Sequence, residues 1–232
     1  MFFLDPTYLL FMAPAFLLML ITSWYVQSAY RTWSRVPARS GLTGYQAAQR
    51  LIAAGGLSGV QVEGVRGNLT DNYDPRTKVL HLSQGVAQNP SVASLAIAAH
   101  ELGHAQQDSE GYFPLRFRAA LVPMVSVGSY LGWILIIIGL LLNFTNLAWL
   151  GVAVFAGGAV FALATLPVEL NASARARRLL ADTGIISGSD EQRGVSRVLN
   201  AAALTYVAAL LTAILQLLYY VSLVGGFGRR RS

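Results

Sequence analysis

Four stretches of this chain run apolar without a single charged residue. The first is Tyr8 to Val26. An α-helix of this length crosses ~30 Å of hydrocarbon, so a transmembrane helix is predicted within residues 1–29. Ala120 to Leu142 and Leu147 to Leu166 are the second and third stretches. Only Asn143 to Asn146 separates them, which predicts a transmembrane hairpin over residues 120–166. Gly151, Gly157 and Gly158 in its second arm are the expected points of close helix contact. The fourth stretch, Ala201 to Val224, carries Tyr206, Tyr219 and Tyr220 near its ends as interfacial anchors and places a last span and a basic tail in residues 201–232.

The two hydrophilic regions, residues 30–119 and 167–200, have their own periodicities. Ser40 to Gly55 has apolar residues at helical spacing and a Gly-Gly stop, and reads as an amphipathic helix. Val60 to Val65 and Lys78 to Ser83 alternate apolar and polar residues and read as strands. Asn72-Tyr73-Asp74-Pro75 is a turn signal between them. Ser91, following Pro90, starts a helix that runs to Gln107. Pro167 precedes another, Val168 to Ala181. The predicted fold class is a mainly α membrane protein, with about four transmembrane helices and a small α+β region.

Composition sharpens this picture. Apolar residues make up 54% and charged residues 12%, against about 25% charge in a soluble domain. The net charge of +6 sits largely in arginines that flank the apolar runs, which is a topology signal, and no nucleic-acid module accompanies it. Asp5 and the lack of an N-terminal basic residue argue for an uncleaved first span rather than a signal peptide. Two spans lie between the hydrophilic regions, so both face one side. Arg31, Arg35, Arg39, Arg116, Arg118, Arg175, Arg177 and Arg178 make that side cytoplasmic, outvoting Arg229, Arg230 and Arg231. The chain is expected in the cell membrane as a multi-pass protein, with its oligomeric state open.

Cysteine is absent and there are three histidines, His81, His100 and His104. Any metal site must therefore use imidazoles and carboxylates. His100-Glu101-Leu102-Gly103-His104 is an H-E-x-x-H motif on a predicted helix. Residues four apart share a helix face with Cβ atoms ~5–6 Å apart, so two imidazoles there meet one zinc ion, and Glu101 is placed to take a proton from an activated water. The alternative is a pair of surface histidines beside a solvated glutamate. A third ligand has two sources, His81 or a downstream carboxylate. Glu169 is the better one, since it lies on the same side by parity; the alternative is a carboxylate complementing a helix N-terminus. His81 reads as a solvent-facing strand residue that could contact substrate, with its strand pairing edge to edge to an extended peptide. Asp74-Pro75-Arg76 reads as a turn. Arg175 and Asp182 read as helix-surface charges, or as groups that orient a ligand.

SGLTGYQAAQRLI, GNLTDNYDPRTKVLHLS, VASLAIAAHELGHAQQ and LPVELNASARARRLL resemble, in that order, the conserved blocks of the YugP-like neutral zinc metallopeptidases. The resemblance covers nearly the whole chain, and the NYDPR and PVE–AS blocks are more specific than the zinc motif. It implies a gluzincin-like membrane peptidase with Zn²⁺ on His100, His104 and Glu169, Glu101 as catalytic acid/base, and a peptide or membrane-protein substrate. Relatives commonly carry Asp four residues after the third ligand. Here that position is Ser173, which with Asn171 is the expected support for the ligands. The rival functions are a zinc-stabilised scaffold or chaperone without catalysis, and a zinc hydrolase acting on lipid amides.

Overall fold

The computed structural model describes residues 6–229. Asp5, Arg230 and Arg231, used above as topology signals, lie outside the described residues. Among the described residues, seven helices and three strands follow in the order α1 (Pro6–Trp33), α2 (Gly44–Ala54), β1 (Gln61–Val65), β2 (Asn72–Asp74), β3 (Val79–Ser83), α3 (Gln84–Ala87), α4 (Val92–Ser109), α5 (Phe113–Leu141), α6 (Thr145–Asp182) and α7 (Ser189–Arg229). Four of these, α1, α5, α6 and α7, are long and apolar enough to cross a membrane. The protein is a mainly α, multi-pass membrane protein with a small α+β region.

The chain forms two compact units. One holds the chain up to Thr22, Arg116–Pro167, and the chain from Thr205 onward. Its hairpin arms α5 and α6 approach closely because glycines face each other. A Cβ on Gly132 would meet the Phe155 backbone nitrogen at 2.8 Å, and one on Gly151 would meet the Gly132 carbonyl at 2.7 Å. Of the three glycines expected at close contact, Gly151 is there, together with Gly132 and Gly139, whereas a Cβ on Gly157 would meet nothing within 4 Å and one on Gly158 only Ser129 Oγ at 3.9 Å. Tyr219 and Tyr220, expected near the ends of the last span, pack inside this unit. Both are buried, Tyr219 edge-on to Tyr8 at 5.2 Å and Tyr220 edge-on to Phe155 at 4.8 Å. Edge-to-face pairs of this kind are worth about 0.5–1.5 kcal/mol beyond the area they bury.

The other unit comprises Ser23–Leu115 and Val168–Leu204. Its sheet has the order β1-β3-β2, with β1 parallel and β2 antiparallel to β3. Leu80 and Leu82 of β3 are fully buried with Leu51 of α2, Leu95 and Leu102 of α4, and Leu180 of α6. Burying each leucine contributes about 1.5–3 kcal/mol.

Three local expectations change. The helix expected from Ser40 begins at Gly44, because Gly41 has φ +65 and Thr43 and Gln46 close a capping box. Asn72–Asp74 pairs with β3 as a strand, and the turn is displaced to residues 75–78, where the Asp74 carboxylate accepts from the Arg76 amide at 2.8 Å. The short helix expected after Pro167 does not exist separately, because α6 runs unbroken through that proline. Losing one backbone hydrogen bond at a proline is outweighed by the buried row Val168, Ala172, Ala176 and Leu180.

Candidate metal centre

Helix α4 starts where the sequence reading put it. Ser91 caps it, its side chain accepting from the Ser94 amide at 3.2 Å. Ala96, Ala98, Ala99 and Ala105 on α4 are buried and small, which lets neighbouring backbones come close. The tightest approach is at Gly103, where a Cβ would lie 2.5 Å from the Ala172 carbonyl oxygen of α6. This contact brings Glu169, itself 3% exposed, onto the histidine face of α4.

The Nε2 atoms of His100 and His104 lie 3.3 and 3.5 Å from Glu169 Oε2. One ligand atom from each of the three residues falls within 4.8 Å of the others. Ligands at 2.0–2.2 Å from a tetrahedral ion stand about 3.3 Å apart. The donor set and its spacing therefore fit a zinc-sized divalent ion. Glu169 sits far inside α6, so the alternative of a carboxylate complementing a helix N-terminus fails.

Glu101 is not one of the grouped donors. Its Oε2 accepts from the Tyr73 backbone N–H of β2 at 3.1 Å. Burial pushes its carboxyl pKa up; the two histidines oppose this, while Glu169 and Asp71 add to it. His104 shows the reverse balance. Burial opposes its protonation, but the hydrogen bond to Glu169 and the charges of Glu101 and Glu169 outweigh this and raise its pKa.

The residues around the imidazoles are partly those expected. Ser173 Oγ is 3.2 Å from His100 Nδ1. Asn171 reaches no histidine; its Oδ1 accepts from Gln107 Nε2 at 2.9 Å, and Gln107 Oε1 is 3.0 Å from His104 Nδ1. Arg175 donates to Asn171 and pairs with Glu110, whereas Asp182 lies at the exposed end of α6. Sequence reasoning missed Gln107, Glu110 and Tyr73. Gln107 stands three residues after His104, on the same helix face, and that spacing was the available signal.

His81 does not join the cluster. It alternates with the core-facing Leu80 and Leu82, so it projects from the opposite face of the sheet, 4.0 Å from Glu63. Its strand also has no free edge, since β3 is flanked by β1 and β2. The edge pairing expected of β3 is therefore excluded. The strand with an unpaired edge and contact to α4 is β2.

The family model described as putative neutral zinc metallopeptidase matches residues 8–225. "Putative membrane protease YugP" of Bacillus subtilis (strain 168) is 43% identical over 196 residues, covering 84% of this chain and 87% of the relative. No solved structure matches the chain. With a match across nearly its whole length and this degree of identity, the chain belongs to the neutral zinc metallopeptidase family.

Proposed function

We propose that the chain hydrolyses peptide bonds at a zinc ion held by His100, His104 and Glu169, with Glu101 as general base. The observation that carries this reading is the grouping of two imidazole nitrogens and one carboxylate oxygen, with Glu169 Oε2 3.3 and 3.5 Å from the two Nε2 atoms and Glu101 next to His100 on the same helix. Zinc bound there would acidify a water and polarise the scissile carbonyl. Tyr73 holds one oxygen of Glu101 through its N–H, which leaves the other to take the proton of the attacking water and return it to the departing amine. Ser173 orients His100 directly, and Asn171 acts on His104 at one remove.

An extended substrate chain would lie along β2, the edge strand beside α4. The arginines flanking the apolar runs support a centre on the cytoplasmic side of the cell membrane.

The test uses the detergent-purified full chain. One zinc per chain and cleavage of a peptide library are expected, and E101Q should keep the zinc while losing turnover. Cleavage by E101Q at the native rate would remove Glu101 from the mechanism. Activity confined to lipid amides would replace the substrate class.

A further inference from the structure

The contacts around Gln107 have a direction. Glu110 can only accept hydrogen bonds, and the Arg175 guanidinium can only donate. The two meet through paired contacts of 2.6 and 2.7 Å. Arg175 Nε also faces Asn171 at 2.7 Å, so the Asn171 atom there must be its oxygen. Gln107, fully buried, then places its amide between two acceptors, Asn171 Oδ1 at 2.9 Å and the Val168 carbonyl at 2.8 Å. The end that meets them must be the NH₂. Its oxygen is left facing His104 Nδ1 at 3.0 Å. An oxygen there requires Nδ1 to carry a proton, so in the neutral ring that a metal needs it is Nε2, 3.5 Å from Glu169 Oε2, that offers the lone pair. Turning the Gln107 amide over would set its oxygen against two acceptors. His100 is not constrained in this way, because the hydroxyl of Ser173 can donate or accept.

We infer that Gln107 is a positioning residue for the metal. It locks His104 in the tautomer that presents Nε2, and the Glu110–Arg175 pair sets its orientation from the surface through Asn171. This rests on the zinc site proposed above. Orienting partners of this kind typically change metal affinity by 10–100-fold.

The experiment is zinc competition against a chelator on the detergent-purified full chain, with the histidines isotope-labelled for NMR. Three histidines in the chain make that spectrum assignable. Wild type should bind one zinc, with His104 protonated at Nδ1. Q107L, close in volume, should weaken zinc by about 10–100-fold. E110Q, at an exposed position, should weaken it by a smaller factor without disturbing the fold, and should do so only when Gln107 is present. Non-additivity of the two substitutions separates a directed chain from two independent losses of packing. Should Q107L fail to fold, the E110Q affinity and the wild-type tautomer still decide. Wild-type His104 protonated at Nε2, or zinc affinity in E110Q and Q107L within twofold of a one-zinc wild type, would overturn the inference while leaving the zinc site standing. A wild-type chain that binds no zinc would overturn both.

Discussion

At the scale of single residues, the centre is set by burial competing with charge. Glu169 is buried against two imidazoles, so truncating it removes one ligand and leaves the histidines facing empty space. E169A is expected to lose stoichiometric zinc, and metal analysis of the purified protein checks it. The raised pKa of His104 gives a pH dependence of known sign. In the metal-free protein its proton is favoured by the fold. That contribution is complete below the unfolded imidazole value of about 6.5 and is lost as pH rises through the higher folded value. Zinc requires the neutral imidazole and displaces this proton. The zinc-induced rise in Tm should therefore grow between about pH 6 and about pH 8, and thermal scans with and without zinc measure it. A rise that shrank with pH would contradict the assignment of His104.

At the scale of elements, the position of Glu169 depends on how closely α6 lies on α4. Gly103 has no room for a methyl group against the Ala172 carbonyl. G103A should push the two helices apart at an overpacking cost of about 1–3 kcal/mol, lowering both Tm and zinc affinity. Native affinity with a lowered Tm would separate packing from ligand placement. The α5–α6 hairpin is likewise fixed by backbone contact at Gly132 and Gly151. G151L should destabilise it, read as loss of the folded fraction in detergent, whereas the same change at Gly157, which faces open space, should be tolerated. The cap at Ser91 is worth about 1 kcal/mol, and S91A should lower Tm without moving zinc affinity.

At the scale of the whole molecule, the proposed topology puts the two hydrophilic regions on one side of the membrane by parity, and the positive-inside rule makes the cytoplasm the expected side. The chain has no cysteine, so a single introduced thiol reports one position only. N68C, in the exposed β1–β2 connection, should react with a membrane-impermeant maleimide in inverted vesicles and not in intact cells. L142C, at the exposed turn of the hairpin, should show the opposite pattern. Identical labelling of the two would sink the topology.

The sequence by itself determined the four apolar spans and the helix that carries His100, Glu101 and His104, and it singled out Glu169 as the candidate third ligand. Each follows from a local signal: an uncharged run of membrane length, a four-residue spacing on one helix face, or span parity. Only the tertiary structure decided that α6 continues through Pro167, because the proline penalty is local and the packing that exceeds it is not. The same holds for β2, whose three residues read as a turn until β3 supplies their hydrogen-bond partners. His81 was tied to substrate by its place in the chain, whereas sheet order alone showed that its strand is central and has no edge to offer a peptide. Gln107 could be seen beside the motif, but its orientation depends on Asn171 and Arg175, which lie more than sixty residues on. A donor and an acceptor that meet only through folding leave no periodicity in the chain, and this is why the residues of the candidate centre could be read in advance while the hydrogen bonds around them could not.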